Sequence, residues 1–342
     1  MQGKNIRYHL SKKIQDWANS VDDSEIKDLI LTKTMITGGA IVSLLQGEMP
    51  HDYDVYFRDG QSLLKVAEYY VKKYIASAYP EVKEDESSKL PIVQRCKWNE
   101  EEKKWTVING DIPVVDEHIR VFIRSEGITS LGASFEDIEN RKAMAQINAD
   151  AKAAYKENKH KDNYRPVYMT NNAITLSNKI QLILRFYGEP EKIHENYDFI
   201  HCTSYWKSWD GELVLPSRAL EAIINKELYY IGSKYPLCSL VRTRKFLKRG
   251  WTINAGQLVK IALQLHDLDL TNLHVFEEQL IGVDSAYFMN FLFLLKEKEQ
   301  QDPCFSMCSN YLIDLINTVF DDKDLVDYIE EDGDGTAQED SV

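Results

Sequence analysis

Hydrophobic and polar residues follow two different periods in the first 80 residues of the chain. Ile6, Leu10, Ile14 and Trp17 recur at the spacing of one helix face, whereas the residues after position 33 form short apolar runs that end at glycine or proline. The pattern predicts, in chain order, a helix at 6–31, a strand at 34–37, a helix at 40–46, a strand at 52–57 and a helix at 61–78.

The remaining sequence changes character at about residue 210. The charged stretch 81–104 predicts a loop, and strand-like segments follow at 105–108, 119–123, 166–170, 173–176 and 180–186, with helices at 135–161 and 190–196. Beyond Pro216 the predicted helices are 217–229, 236–249, 255–266, 272–298 and 305–320. We therefore predict an α+β fold, in which a head domain with a mixed β-sheet and helices (1–210) precedes an all-α domain (211–325).

Composition and charge narrow the class of protein. Of the 342 residues, 44% are hydrophobic and 28% charged, which excludes a wholly disordered or collagen-like chain. The net charge is −13, but the last 22 residues hold ten acids and one lysine, so a disordered acidic tail is predicted at 326–342. Five cysteines, an odd number, favour a reducing cytoplasmic compartment, and no apolar run is long enough to predict a membrane span.

A glycine pair and two aspartates form the most informative stretch. Gly38 and Gly39 stand where a predicted strand passes into a helix, so bare backbone N–H groups beside the positive helix terminus predict a phosphate cradle. Asp52 and Asp54 lie two residues apart on the next predicted strand, so both carboxylates face one side of it, about 7 Å apart. Because Mg²⁺ is held by one or two carboxylates plus substrate oxygens, the stretch predicts phosphoryl displacement assisted by metal ions.

Three segments together resemble a known superfamily. They are the run 37–57 with its glycine pair and Asp-x-Asp, the run 197–202 (Tyr-Asp-Phe-Ile-His-Cys), and the basic run 236–253. They are similar to the polymerase β-type nucleotidyltransferases, and within them to the head and neck of CCA-adding enzymes and bacterial poly(A) polymerases. The chain also resembles chains encoded by bacteriophages. Measured against this family, residues 60–165 contain a long insertion.

The resemblance implies an activity and a set of partners. The expected reaction transfers a nucleoside monophosphate from an NTP to a hydroxyl acceptor, most directly an RNA 3′ end such as that of tRNA, with two Mg²⁺ ions. The residues that the resemblance implies for catalysis and metal binding are Asp52, Asp54 and Asp198. Those that it implies for nucleotide binding are Gly38, Gly39, Ser43, Arg185, Arg242, Arg244 and Lys245.

Departures from the family pattern leave alternatives open. Gln181 stands near the position where the family carries its third acid, and Asn196 and Tyr197 replace the arginines expected before Asp198. Asp198 itself fits either a third carboxylate or a residue that caps a turn. The competing functions are a catalytically inactive scaffold or binding protein of the same fold, viral in origin, and a toxin-like nucleotidyltransferase that modifies tRNA.

Overall fold

The computed structural model describes residues 3–78, most of 90–123, 131–132, 148–149, 163–272, single positions between 275 and 301, and 308–321. The predicted helices at 135–161 and 272–298 lie almost entirely outside these residues, and the acidic tail lies wholly outside them. The chain forms two compact units, Met1–Asn225 and Lys226–Val342. Each is described by itself below.

The first unit contains most of the regular structure. Its helices are α1 (Gly3–Asn19), α2 (Ser24–Lys33), α3 (Gly39–Gln46), α4 (Gly60–Ala78), α5 (Pro190–His194) and α6 (Ser217–Asn225). Its strands are β1 (Thr34–Thr37), β2 (Tyr53–Phe57), β3 (Pro91–Asn99), β4 (Lys104–Val107), β5 (Glu117–Ile123), β6 (Leu131–Gly132), β7 (Pro166–Met169), β8 (Ala173–Leu176), β9 (Ile180–Ile183), β10 (Tyr205–Lys207) and β11 (Leu213–Val214).

Seven of these strands form one mixed sheet, in the order β11-β10-β1-β2-β9-β8-β7. Only β2 and β9 run parallel within it, and every other neighbouring pair is antiparallel. The predicted strands at 34–37, 52–57 and 173–176 and the helices at 40–46 and 61–78 are confirmed to within one residue at each end. The mixed α/β character of the head is therefore confirmed.

The single helix predicted at 6–31 is wrong, because the segment forms two helices. α1 ends at Asn19 and α2 begins at Ser24. The side chain of Asp23 accepts hydrogen bonds from the backbone N–H groups of Glu25 and Ile26, at 2.9 and 3.1 Å. An N-cap of this kind satisfies the unpaired donors of a new helix, and apolar periodicity alone does not reveal the break.

One face of the seven-stranded sheet packs against α1 to α4. Tyr53, Val55 and Phe57 alternate along β2 toward this side and are at most 2% exposed. In the same core, the indole N–H of Trp17 on α1 donates to the hydroxyl of Tyr70 on α4, at 2.6 Å. Both side chains are almost completely buried, so this bond joins two helices inside the core.

Removing the Tyr70 hydroxyl should weaken this core. In Tyr70→Phe the indole N–H of Trp17 is left buried without its acceptor, and the free energy of unfolding should fall by about 1–3 kcal/mol. Denaturant unfolding measures the loss. Tyr8→Phe, at an exposed tyrosine of α1, is the control and should leave stability unchanged. An equally small effect for both variants would contradict the prediction.

A second sheet occupies part of the predicted insertion. It has the order β5-β3-β4-β6, and β3 occupies nine residues of the stretch 81–104, for which the sequence predicted a loop. For residues 91–99 that prediction is wrong, because the local pattern does not show the strand, which pairs with β5 over residues 91–97. Glu117 on β5 forms an ion pair with Arg95 and accepts a hydrogen bond from the Tyr187 hydroxyl at 2.9 Å. These contacts fix β3 and β5 to the segment that follows β9.

The second unit is mainly helical in its described residues. It contains α7 (Pro236–Lys248), α8 (Ala255–His266) and α9 (Ser309–Asp321), together with β12 (Glu227–Leu228) and β13 (Thr252–Ile253). The two short strands pair in parallel, so the expectation of an all-α domain does not hold as stated. The residues predicted to continue a helix to 229 form β12 instead. Among the described helices, none has the length and apolar character needed to cross a bilayer.

Candidate functional site

The glycine pair lies at a sharp turn between β1 and α3. All four residues of β1 are buried, and Gly38 follows with φ 83° and ψ −143°, a backbone conformation that residues with a Cβ rarely adopt. Gly39 is the first residue of α3 and is exposed, and no side chain caps the helix. The first backbone N–H groups of α3 therefore lie beside the positive end of a helix dipole, as the phosphate-cradle prediction requires.

The two aspartates lie at the start of the neighbouring strand. Asp52 precedes β2 and is exposed, whereas Asp54 lies within β2 and is half-buried. β1 and β2 pair antiparallel with Ile36 opposite Val55, so the next pair in this register places Thr37 opposite Asp54. Opposed residues of antiparallel strands have Cα atoms about 4.5–5.5 Å apart. The glycine turn therefore begins one residue from the direct neighbour of Asp54.

A row of polar residues crosses the sheet through Asp54. In register from β10 to β8 the row contains Tyr205, Thr37, Asp54, Gln181 and Thr175. Paired residues share a face, so all five side chains lie on the face opposite α1 to α4. Gln181 is thus the direct cross-strand neighbour of Asp54. Gln181, which stands near the position where the resemblance implies a third acid, therefore lies on the strand next to Asp54.

Tyr197 connects the glycine turn to the strand that carries Asp54. Its hydroxyl donates to the Tyr56 hydroxyl at 3.3 Å, and a Cβ built on Gly38 would lie 3.4 Å from the same oxygen. Burial, then the nearby Tyr56 and Asp54, raise the pKa of Tyr197 well above its ordinary value, while a hydrogen bond with Thr37 lowers it. A single side chain therefore reaches Gly38, Thr37, Tyr56 and the neighbourhood of Asp54.

His194 on α5 completes the cover over this part of the sheet. Its Nε2 atom lies 2.9 Å from the Thr37 hydroxyl oxygen, which also donates to the backbone carbonyl of Ser204 at 2.9 Å. The His194 ring packs against the rings of Tyr197 and Tyr205, with centroids 5.0 and 5.5 Å apart. Burial lowers the pKa of His194 to about 4, so the ring is neutral at pH 7. The sequence did not identify His194, Tyr197 or Tyr205 as site residues.

Two histidines, the buried His201 and the half-buried His194, predict sensitivity to acid. Burial lowers the pKa of both His194 and His201 to about 4, whereas a histidine of the unfolded chain titrates near 6.5. As the pH falls from about 6.5 to 4, the unfolded chain binds protons that the folded chain does not, so stability is lost in this window. We expect each histidine to account for roughly 2 kcal/mol of the loss between pH 7 and pH 5.

Denaturant unfolding at the two pH values measures this loss. His201→Gln should reduce the difference in unfolding free energy between pH 7 and pH 5, because the substituted side chain does not titrate. His51→Gln, at an exposed histidine, is the control and should leave the difference unchanged. If His201→Gln lost as much unfolding free energy between pH 7 and pH 5 as the unmodified chain and the control do, His201 would not be a source of the acid sensitivity.

The other predicted residues lie in several places. Asp198 is buried in a bend between α5 and a 3-10 turn at Ile200–Cys202 and is not on a strand. Its carboxylate lies close enough to His201 to offset part of the lowering of the His201 pKa by burial. Ser43 is half-buried in α3. Arg185 lies beyond the end of β9, with its guanidinium over the Phe186 ring at 5.3 Å and near His118. Arg242, Arg244 and Lys245 belong to α7 of the second unit. The roles implied for these residues stay predictions.

A protein-family model identifies the chain. The model of the Gabija anti-defense 2 family (Gad2) matches residues 9–226, which is more than half of the chain and covers the whole glycine–aspartate site. The chain belongs to the Gabija anti-defense 2 family. No curated protein matches it.

Among the solved structures to which this chain is similar are tRNA-processing enzymes. One, a tRNA-processing enzyme with CTP, is 11% identical, and the match covers 89% of this chain and 72% of that enzyme with a TM-score of 0.33. Another is the Thermotoga maritima CCA-adding enzyme complexed with tRNA, at 11% identity, 86% and 57% coverage and a TM-score of 0.32. A further tRNA-processing enzyme complex is 10% identical, with 91% and 74% coverage and a TM-score of 0.32.

The side chains beside the glycine turn have the chemistry that Mg²⁺ requires. Asp52 and Asp54 offer carboxylate oxygens and Gln181 an amide oxygen, and Mg²⁺ in nucleotide sites uses one or two carboxylates plus phosphate oxygens. Within the described part of the chain, no group of three His, Cys, Asp or Glu side chains is gathered as a metal site. The structure therefore does not bring Asp198 together with Asp52 and Asp54, and the residues that fit Mg²⁺ are these two aspartates and Gln181.

Proposed function

We propose that this member of the Gabija anti-defense 2 family is an Mg²⁺-dependent nucleotidyltransferase. It would transfer a nucleoside monophosphate from an NTP to a hydroxyl group. The observation that carries the proposal is the pairing of β1 with β2, which puts the Gly38 turn beside Asp54, with the Tyr197 hydroxyl in reach of both. A helix N-terminus without a side-chain cap and an oxygen-rich carboxylate pair are the two parts that binding of a metal–triphosphate needs.

Each group at the site has a role in the proposed reaction. The backbone N–H groups after Gly38 bind triphosphate oxygens, and Asp52, Asp54 and Gln181 hold Mg²⁺, which when bound neutralises charge on the triphosphate and on the leaving pyrophosphate. The acceptor oxygen forms a bond to the α-phosphorus, the bond between the α-phosphorus and its bridging oxygen breaks, and the acceptor proton passes to solvent. The Tyr197 hydroxyl lies beside Gly38 and would donate to a bound phosphate oxygen in place of its present bond to the Tyr56 hydroxyl.

The family's anti-defence role indicates the biological setting of the proposed reaction. The family is described as acting against Gabija defence, and we propose that nucleotidyl transfer is how this chain takes part in it. The first acceptor to examine is an RNA 3′ end, such as that of tRNA, in the cytoplasm of a bacterium infected by a phage. A tRNA-modifying activity like that of a toxin is the same chemistry with a narrower acceptor.

Transfer of label tests the activity directly. The purified chain is incubated with each α-labelled NTP, Mg²⁺ and total bacterial RNA, and RNA and protein are separated before counting. We expect label in the RNA fraction with at least one NTP and none when Mg²⁺ is chelated. If no fraction gains label with any NTP, the proposed activity is wrong.

Gln181 favours a second candidate, a binding protein that keeps the fold without catalysis. An amide oxygen beside Asp54 binds a metal ion less strongly than a carboxylate, because it carries no full charge. Thermal unfolding with and without Mg²⁺ and a non-hydrolysable NTP separates the two candidates. Stabilisation that disappears in Asp52→Ala supports the enzyme, whereas the absence of any stabilisation supports a partner-binding protein.

A further inference from the structure

Positive charge collects on one side of the sheet end that carries Asp52. His9, Lys12 and Lys13 of α1 and Lys179 of the turn between β8 and β9 form what we call the basic patch. Burial, then Lys179, lower the pKa of Lys13 to about 8, and burial, Lys13 and Lys12 lower that of His9. Lys13 therefore lies near Lys179, His9 and the acidic Asp16, and His9 lies near Lys12. Because the pKa of His9 is lowered from 6.5, the positive charge of the patch at pH 7 is that of its three lysines, in a chain whose net charge is −13.

Lys179 occupies a backbone position that suits glycine. The three-residue turn 177–179 joins β8 to β9, and its last two residues, Asn178 and Lys179, have φ values of 62° and 63°. Asparagine tolerates this left-handed conformation, whereas a lysine there costs about 1–2 kcal/mol relative to glycine. The chain thus places an exposed cation where stability alone favours glycine, and strain of this kind concentrates at functional sites.

Hydrogen bonds hold the basic patch against the first residues of β2. The backbone N–H of Tyr53 donates to the carbonyl of Lys179 at 2.7 Å, and His9 Nε2 lies 2.6 Å from the Tyr53 hydroxyl. Lys13 Nζ donates to the carbonyl of Asn178 at 2.5 Å and lies 4.9 Å from the centre of the Tyr53 ring. Tyr53 directly follows Asp52, so the patch borders the predicted metal ligand.

The position of the patch favours a long ligand over a free nucleotide. Tyr53 and Asp54 are consecutive residues of β2, so their side chains point to opposite faces of the sheet. The patch is on the Tyr53 face, whereas Asp54 and the Tyr197 side chain that lies beside Gly38 are on the other face. A polynucleotide strand that passes the end of the sheet is long enough to contact both faces.

An exposed aromatic ring lies next to Lys12 of the patch. Tyr8 is 70% exposed and stands one helical turn before Lys12 on α1. Lysines beside an exposed aromatic ring are the combination that single-stranded nucleic acids bind, with phosphates on the cations and a base on the ring.

We propose that the basic patch binds the phosphate backbone of single-stranded RNA, with a base stacked on Tyr8, and that it guides the 3′ end of that strand toward Asp52. The second half of this proposal rests on the proposed function. The patch supplies charge attraction that does not depend on sequence, so the RNA is recognised as a polyanion with unstacked bases.

Salt-dependent binding to a short labelled single-stranded RNA of mixed sequence tests the proposal. Replacing the two exposed lysines of the patch, Lys12→Ala with Lys179→Gly, should weaken binding on the order of tenfold at low salt and reduce the slope of log affinity against log salt by about 1.4. Tyr8→Ala should weaken binding roughly five- to 100-fold with the slope nearly unchanged. Lys72→Ala, at an exposed lysine of α4, is the matched control.

Lys179→Gly alone separates charge from folding. It removes the cation and relieves the left-handed lysine, so the melting temperature should stay the same or rise while RNA affinity falls. RNA affinity and salt slope that match those of Lys72→Ala in every patch variant would overturn the proposal. An equal loss of Mg²⁺–NTP affinity would also overturn it, because the patch would then hold the triphosphate.

The proposal and the proposed function can fail separately. If RNA binds through the patch but no NTP is incorporated into RNA or protein, nucleotidyl transfer is wrong and the RNA surface stands. If label transfers to RNA with equal efficiency in the patch variants and RNA affinity is unchanged, the RNA surface is wrong and the enzyme stands. A preference for double-stranded over single-stranded RNA would exclude the stacking role of Tyr8.

Discussion

Asp54→Asn is expected to abolish nucleotidyl transfer and leave the fold intact. The side chain lies in the polar row between Thr37 and Gln181, and replacing a carboxylate oxygen by an amide nitrogen removes the charge that holds Mg²⁺ and keeps nearly the same volume. We expect a loss of about 100-fold or more in NTP incorporation. The measurement is transfer of label from an α-labelled NTP at saturating Mg²⁺.

Asp28→Asn is the matched control for this variant. Asp28 is an exposed aspartate of α2, so its replacement makes the same chemical change away from the site and should keep full activity. Thermal unfolding of both variants checks the fold. Undiminished NTP incorporation by Asp54→Asn would show that Asp54 of β2 is not part of the catalytic site.

The two glycines of the turn are expected to respond in opposite ways to the same substitution. Gly38 has φ 83°, so Gly38→Ala should destabilise the chain by about 1–2 kcal/mol. A Cβ at Gly39 would meet nothing within 4 Å, so Gly39→Ala should keep or increase stability, by up to about 1 kcal/mol. The melting curves of the two variants should therefore shift in opposite directions or differ clearly in size.

Binding of Mg²⁺–NTP then tests the phosphate cradle without interference from folding. The methyl group of Gly39→Ala would stand where a phosphate oxygen approaches the backbone N–H groups of α3, so we expect roughly tenfold weaker NTP binding in a fully stable protein. Titration calorimetry measures it, and Gly256→Ala, at an exposed glycine of α8 whose φ is not positive, is the control and should leave NTP binding unchanged. If Gly39→Ala binds NTP normally, phosphates do not approach this turn.

Local sequence patterns predicted the centre of the first unit well. Between residues 34 and 57 the apolar run, the glycine pair, the apolar helix and the alternating strand each depend on neighbours within a few residues, and the structure has all four. Where long-range pairing decided the structure, local patterns failed. β3 reads as a charged loop but is a strand because β5 supplies its partner.

The site itself was predictable only in part, for the same reason. Gly38, Asp52 and Asp54 lie within 17 residues of one another, so their spacing in the sequence was enough to predict a common site. Tyr197 and His194 reach the turn from about 160 residues away, and nothing in their local sequence indicates a contact with Thr37 or Gly38. Lys179 is a comparable case, because its left-handed φ and its bond to Tyr53 become visible only when β9 lies beside β2.

The sequence by itself determined the strand–glycine–helix turn, the paired aspartates on the following strand and the acidity of the C-terminal end, because each depends on residues close together in the chain. Only the tertiary structure decided that Gln181 is the neighbour of Asp54, that Tyr197 lies over the glycine turn, and that cations from α1 and the β8–β9 turn meet at the end of β2. Strand order and register bring these residues together. Both depend on burial of the whole sheet against its helices, and the hydrophobic period of a single strand or helix does not show which other element will pack against it.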